Sequence, residues 1–316
     1  MAQIYKLNPQ CFANIWGGNK LRGYGKSSEA DRIGESWELS FVNGSEARLE
    51  DGRTAAEAFP RQSWGKRAEK FPFFPTLTKF IDAREKLSVQ VHPSDEYALK
   101  NEGQYGKSEM WYVVDADEGA GLYLGLNASC EPETLAEAIT DGSVENLLSF
   151  KPVRTGDVFF IPAGTIHAIG GGVLIFEIQQ NSTLTYRLYD YMRRDKDGNL
   201  RELHVEKALK VLNAGVYTPK KFDTPSADNG KIIGKCEYFT TKEYSLNNTS
   251  AKISVDENSF KAVTVVSGEG TLSFTDESGN KASVHLSLGD TYFAPANANG
   301  FDFTLNGTLT AITVEV

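Results

Sequence analysis

The stretch Ser88-Val89-Gln90-Val91-His92 alternates polar and apolar residues. On a strand, a period of two sends Ser88, Gln90 and His92 to one face and Leu87, Val89 and Val91 to the other. Polar groups backed by apolar ones suit the inside of a barrel that holds a polar guest. The same pattern also describes an amphipathic edge strand facing water. Pro93 ends the strand and leaves His92 at its tip. A second histidine stands in Gly156-x5-Pro162-x-Gly164-x2-His167. Gly156-Asp157 makes the turn into a strand and Pro162-x-Gly164 the turn out of it, so His167 opens the next strand. With four histidines in the chain (His92, His167, His204 and His285), any metal centre has few imidazoles to draw on. Glu177 lies in the run Val173–Gln180, where Leu174, Phe176 and Ile178 take the opposite face.

The elements that must position these groups are mainly strands. Short β-rich runs recur at 159–161, 173–178, 263–266, 271–274, 301–305 and 308–316, punctuated by 29 glycines. Helical periodicity is weak over 54–70 and clearer over 132–148, where Asp141-Gly142 is expected to split it. Residues 205–212 form a further short helix. The segment 215–230, GVYTPKKFDTPSADNG, has linker composition. GDVFFIPAGTIH (156–167) and GDTYFAPANANG (289–300) share five of twelve positions. Upstream, EMWYVV (109–114) falls over FKAVTV (260–265), or one residue later. The two halves thus read as copies of one β unit. The second copy has Gly300 for His167 and Phe260 or Lys261 for Glu109, so it has lost the means to hold a metal.

The fixed spacing from Gly156 to His167 matches the second sequence motif of the cupin superfamily. LSVQVHPSDEYA, GKSEMWYVV and GDVFFIPAGTIHAIGGGVLIFEIQQNSTLTYRLYDY together closely resemble the type I phosphomannose isomerases in their short bacterial form. IWGG (15–18), GESWELS (34–40) and RELHVEKAL (201–209) agree in order and position. The resemblance is strong over residues 10–212 and covers the remainder only as the degenerate second unit. It departs from generic cupins in Gln90-x-His92, in Gly171, and in a first-motif glutamate, Glu109, that follows an inserted loop over Pro93–Ser108.

The resemblance implies a mainly β fold of two jelly-roll barrels with a few short helices, the second barrel degenerate and metal-free. Expected boundaries are 1–214 for the catalytic domain, with helical insertions near 53–70 and 131–150, then the linker 215–230 and a C-terminal domain over 231–316. It implies one zinc ion held by Gln90, His92, Glu109 and His167, a donor set that suits zinc and that iron or manganese could also accept. The implied activity is interconversion of mannose 6-phosphate and fructose 6-phosphate through a cis-enediol. That chemistry needs a base at carbon, positive charge at two oxygens and a grip on phosphate. Family position gives Arg187 the enediolate and places Glu177 and Lys107 in the pocket. It points to Ser88 and Arg193 for the phosphate, with Arg194 an equal physical candidate. Where some relatives carry an acid four residues before the arginine, this chain has Thr183. Trp16, Trp37 and Trp111 read as core or pocket-wall aromatics, and His204 as structural. The rival readings are another metal-cupin enzyme and a sugar-phosphate-binding protein without turnover, which need not keep Arg187 and Glu177 together.

Composition narrows the rest. Thirty-three Lys+Arg against 42 Asp+Glu give a net charge of −9 over 316 residues. That balance disfavours nucleic acid and repels a small anion at long range, so an anionic substrate needs a local basic pocket. Cys11, Cys130 and Cys236 are far apart and odd in number, which fits a reducing cytoplasm. No run approaches a membrane span. Oligomeric state is not legible.

Overall fold

Two antiparallel sheets enclose the inner core. One has six strands in the order Gln10–Phe12, Glu35–Leu39, Thr76–Ala83, Val173–Gln180, Glu109–Ala116, Val158–Ile161. The other has five, in the order Tyr186–Tyr189, Val89–Val91, His167–Ile169, Gly121–Leu126, Leu148–Pro152. Ile81, Trp111, Val113 and Ile175 from the first share one buried cluster with Leu122, Leu124 and Ile169 from the second. The computed structural model describes residues 4–316 apart from 196, 223, 227, 229 and 277.

Alternation then dictates what covers the outer faces. On the five-stranded sheet Val89, Val91, Ala168 and Leu188 point outward and pack under Leu135, Ala138, Ile139 and Ala208. These come from the helices Pro132–Asp141 and Val205–Val211. The longer helix stops where Gly142 takes φ 81°, and a 3-10 turn, Ser143–Leu147, follows. A residue in the left-handed region ends a helix at low cost when it is glycine. The expected insertion near 53–70 resolves into three single turns, Ala55–Ala58, Arg61–Trp64 and Lys66–Ala68. The inserted loop 93–108 contains a helix, Asp95–Asn101, that the sequence reading treated as coil.

The outer face of the six-stranded sheet is covered by the C-terminal part of the chain. Phe80, Met110, Leu174, Phe176 and Ile178 pack in one cluster with Phe239, Phe260, Phe293 and Ile312. Phe293 and Ile312 lie on, and Phe239 and Phe260 immediately precede, strands of an eight-stranded antiparallel sheet built on three long strands, Thr240–Val255, Lys261–Thr275 and Phe301–Glu315. The sequence breaks the last two into four short runs. They are continuous because their glycines are paired within the ladder instead of turning: the register shifts at Val266, between Val265 and Ser267, and Gly268 follows opposite Leu309 at φ 72°. A Cβ on Gly268 would lie 2.1 Å from the Thr308 carbonyl oxygen, so a side chain there would break the crossing.

The internal repeat is visible in backbone hydrogen bonds. Gly156 N donates to Val113 O at 2.9 Å and Val113 N to Asp157 O at 2.9 Å; Gly289 N donates to Val265 O at 2.9 Å and Val265 N to Asp290 O at 3.0 Å. Glu109 lies opposite Ile161 as Lys261 lies opposite Ala294. The later register therefore holds, and Lys261 occupies the place of Glu109.

The boundary expected at 214 is not a clean cut. Tyr5–Leu7 pairs with Thr291–Ala294 as an edge strand of the C-terminal sheet. Within the expected linker, residues 223, 227 and 229 lie outside the described residues, but Thr224–Pro225 pairs with Lys231–Lys235. Tyr217 is buried in the inner cluster, its hydroxyl donating to Phe160 O at 2.8 Å. An aromatic that closes the core cannot act as a free tether.

Candidate metal centre and active-site cavity

Register assembles the site. On the five-stranded sheet His167, Gln90 and Arg187 are direct partners on three adjacent strands. Residues directly opposite share a face, so an imidazole, an amide and a guanidinium stand side by side. On the facing sheet Glu177 lies opposite both Lys79 and Trp111. Pro93 follows His92, whose carbonyl accepts from Gly164 N at 2.8 Å and so fixes the strand end beside His167. Leu87 departs from the expected alternation: it precedes the regular strand and packs with Trp16 and Ile81 in the inner cluster.

His92, Glu109 and His167 are buried, and one nitrogen or oxygen from each lies within 4.8 Å of the others. His92 Nδ1 is 2.8 Å from Leu184 O, and His167 Nδ1 is 2.8 Å from Thr165 O. A carbonyl only accepts, so each Nδ1 carries the proton and each Nε2 presents a lone pair inward. Burial, reinforced by Lys107 and His167, holds His92 well below the ordinary histidine range. Burial likewise takes His167 down to about 4. Both rings are neutral at physiological pH. His167 Nε2 then faces Glu109 Oε1 at 3.3 Å, and neither atom has a hydrogen-bond partner among the described residues. Two buried lone pairs at that distance are costly unless a cation sits between them. The donors thus fit a divalent metal: two neutral imidazoles and a carboxylate, with the Gln90 amide on the same rung.

Beside this centre is a cavity of about 130 Å³, lined by Trp16, Glu35, Lys79, Ser88, Gln90, Lys107, Glu177, Arg187 and Arg201 among others. Lys107 Nζ pairs closely with Glu109 and lies 3.2 Å from His92 Nε2 and 3.4 Å from Glu177 Oε1. Lys79 bridges Glu35 at 3.2 Å and Glu177 at 3.1 Å. The Trp111 indole N–H donates to Glu177 Oε2 at 2.7 Å. Burial would raise the Glu177 carboxyl, but Lys107, Lys79 and Trp111 together outweigh it and keep it ionised. Burial and the Glu177 charge push Glu109 the other way, up to about 7, against the pull of Lys107. Arg187 donates from Nε to Ser88 Oγ at 3.3 Å and from Nη1 to Glu202 O at 2.8 Å. It makes no ion pair to Asp190, whose partners are Arg193 and Arg201.

The expected residues Ser88, Gln90, His92, Lys107, Glu109, His167, Glu177 and Arg187 are therefore gathered in one place. Arg193 and Arg194 are not among the cavity walls. Arg193 is held by Asp190 and by Lys86 O at 2.6 Å, and Arg194 Nη1 donates to Gly198 O at 2.7 Å. The cause is local: Tyr191 and Met192 both take φ 55°, and this turn carries the following side chains away from the cavity. Sequence reasoning missed Lys79, Glu35 and Arg201. Lys79 gave a signal, as the one cation inside the apolar strand Thr76–Ala83; Arg201 lay in a quoted motif but at no spacing that marks a ligand. Thr183 faces outward onto Gln104. A larger groove of about 470 Å³, between Phe41, Trp64 and Phe73, is lined without any titratable side chain.

Comparison with known proteins agrees with this geometry. Residues 4–121 match the phosphomannose isomerase type I catalytic domain, and residues 230–316 match the mannose-6-phosphate isomerase cupin domain. A mannose-6-phosphate isomerase of Streptococcus mutans is 36% identical over 283 residues, 86% of this chain and 87% of that one. ManA of Bacillus subtilis is 35% identical over 268 residues, covering 82% and 84%. The crystal structure of a Bacillus subtilis mannose 6-phosphate isomerase superposes with TM-score 0.87 at 33% identity, over 99% of both chains. The chain belongs to the type I phosphomannose isomerase family.

Proposed function

We propose that mannose 6-phosphate and fructose 6-phosphate are interconverted in the cavity of about 130 Å³, with one zinc ion held by Gln90, His92, Glu109 and His167. The observation that carries the reading is the facing pair of unpartnered lone pairs on His167 and Glu109, set beside the Arg187 guanidinium. When bound, the ion supplies Lewis-acid polarisation of oxygens on the reacting carbons.

The remaining tasks fall to side chains. Arg187, tied to Ser88 and Glu202, presents a fixed positive charge toward the enediolate as it forms. Ser88, on the cavity wall beside Arg187, is assigned to the phosphate. Glu177 and Lys107, 3.4 Å apart, form the proton-handling pair between C1 and C2. Glu177 is held ionised and can accept; Lys107 can donate and steadies the charge on Glu109. The unit over 231–316 is read as a degenerate copy without a metal, since Lys261 and Gly300 replace two donors. Cytoplasmic location is part of the same reading.

The test is a coupled spectrophotometric assay on mannose 6-phosphate with chelator treatment and zinc add-back. Turnover should vanish on chelation and return with zinc. A folded, zinc-loaded sample without turnover would overturn the proposal.

A further inference from the structure

The cavity has a cationic corner that the expected residues do not explain. Residues 201–204 run beside the strand Tyr186–Tyr189: His204 N donates to Arg187 O at 2.7 Å, and Arg187 Nη1 to Glu202 O at 2.8 Å. This contact brings Arg201 to the wall that Arg187 and Ser88 already line. Asp190, 4% exposed, is the only carboxylate paired with the arginines there among the described residues. Its Oδ2 lies 2.9 Å from Arg201 Nε, its Oδ1 accepts from Arg201 Nη2 at 3.2 Å, and Oδ1 also pairs closely with Arg193. Arg193 and Arg201 therefore share one negative charge, while Arg187 on the same wall has no paired carboxylate among the described residues. Burial and mutual repulsion push Arg187 and Arg201 below the ordinary arginine range, yet a guanidinium starts so high that both stay charged.

An excess of two half-buried positive charges is costly in an empty corner. It is suited to one guest, a phosphate monoester, which carries close to two negative charges at neutral pH. The carboxylate accepts one hydrogen bond from Arg201 Nη2 and lies in ion-pair contact with its Nε, which ties the guanidinium to the cavity wall. Arg193 lies behind, stacked 5.0 Å over the Tyr191 ring and bound to Lys86 O.

We infer that Arg201 contacts the substrate phosphate and that Asp190 is the positioning residue that fixes its guanidinium, with Arg193 as a rear support. The inference rests on the proposal that this cavity takes a hexose phosphate. It gives the grip a residue that lies fourteen positions after Arg187, rather than six or seven.

The experiment uses the zinc-loaded full chain and the variants Arg201→Met, Arg201→Lys and Asp190→Asn. It reads KM, kcat, the inhibition constant for inorganic phosphate, and phosphate binding by calorimetry. A charge-assisted contact is worth about 10- to 100-fold in affinity. Arg201→Met should raise KM and the phosphate inhibition constant by that factor, with kcat within about threefold. Arg201→Lys should recover part of the loss. Asp190→Asn should raise both constants by about 3- to 10-fold at unchanged zinc content. Arg201→Met leaves the Asp190–Arg193 pair in place, so it remains informative if Asp190→Asn fails to fold. Unchanged KM and phosphate affinity in folded, zinc-loaded Arg201→Met would overturn the inference. Wild-type protein that binds phosphate through Arg201 but turns over no mannose 6-phosphate would keep the inference and sink the proposed reaction instead.

Discussion

A histidine becomes a ligand through what its other nitrogen does. Here both Nδ1 atoms are spent on backbone carbonyls at 2.8 Å, so both Nε2 lone pairs are aimed before any ion arrives. Zinc loading should therefore raise the melting temperature, by the usual linkage between binding and folding. His167→Ala should abolish the difference between zinc-loaded and chelated protein in a thermal scan. Arg187 carries charge rather than structure: its backbone is secured by the sheet and by His204, whatever its side chain. Arg187→Ala should retain zinc by elemental analysis yet lose at least about 100-fold in kcat. Full activity in that variant would mean the guanidinium has no part in the reaction. His92, His167 and the Ser88–Gln90–His92 alternation were legible because a two-residue period and a fixed turn spacing determine where they point. Lys79 was marked only as a cation in an apolar strand, since its site is made by pairing with the distant Glu177. Arg201 was not legible, because it reaches the wall through loop contacts to Arg187 and Asp190.

At the scale of elements, the sequence showed strand-forming runs well and their continuity poorly. Gly268 and Gly307 look like turn residues, yet long-range pairing between three strands holds them inside the ladder, opposite Leu309 and Thr249. The Asp141-Gly142 break was legible because a left-handed glycine after a helix has one local reading. Tyr217 shows the opposite case. Its neighbours have linker composition, while the ring is buried among Trp111, Val113 and Ile175. Burial raises its hydroxyl to about 12. A raised folded value means stability is complete below about pH 10, the unfolded value, and is lost as pH rises from there through about 12. Tyr217→Phe should lose less stability than wild type over that window in urea titrations. Tyr217→Ala should cost about 3 kcal/mol at neutral pH, as large-to-small core changes do. Parallel alkaline profiles for wild type and Tyr217→Phe would place the titrating group elsewhere.

For the whole molecule, the C-terminal unit is bound to the catalytic sheets by more than apolar surface. Lys26 and Glu38 form a buried ion pair at 2.8 Å, with side-chain exposures of 5% and 0%. Lys26 also donates to Gly289 O at 2.7 Å, and Glu38 accepts from Ser36 Oγ at 2.6 Å and Thr291 Oγ1 at 3.1 Å. One charged network thus crosses from the N-terminal region into the second copy at its Gly-Asp turn. Removing one partner strands the other charge in the core, which costs about 3–5 kcal/mol. Glu38→Ala should lose that much by chemical denaturation, while kcat at low temperature stays near wild type because the cavity lies on the other side of the six-stranded sheet. The net charge of −9 is also clearer at this scale. Four cationic side chains and two carboxylates line the cavity, so a positive pocket is set in a negative exterior. Substrate capture should accordingly strengthen little on lowering salt, since the exterior field opposes the pocket's.

The edge strand Tyr5–Leu7 also sets a timetable. It leaves the ribosome before its partner Thr291–Ala294, which follows only after residues 8–290 have been made. At about 5–20 residues per second, its backbone donors and acceptors wait for something like 15–60 s before they can be satisfied. Nascent chains arrested before Thr291 should expose the Leu7 region to protease, and chains that have released Ala294 should protect it. Synthesis of the first sheets can proceed on schedule, but the segment Tyr5–Leu7 is kept open until Ala294 has been added.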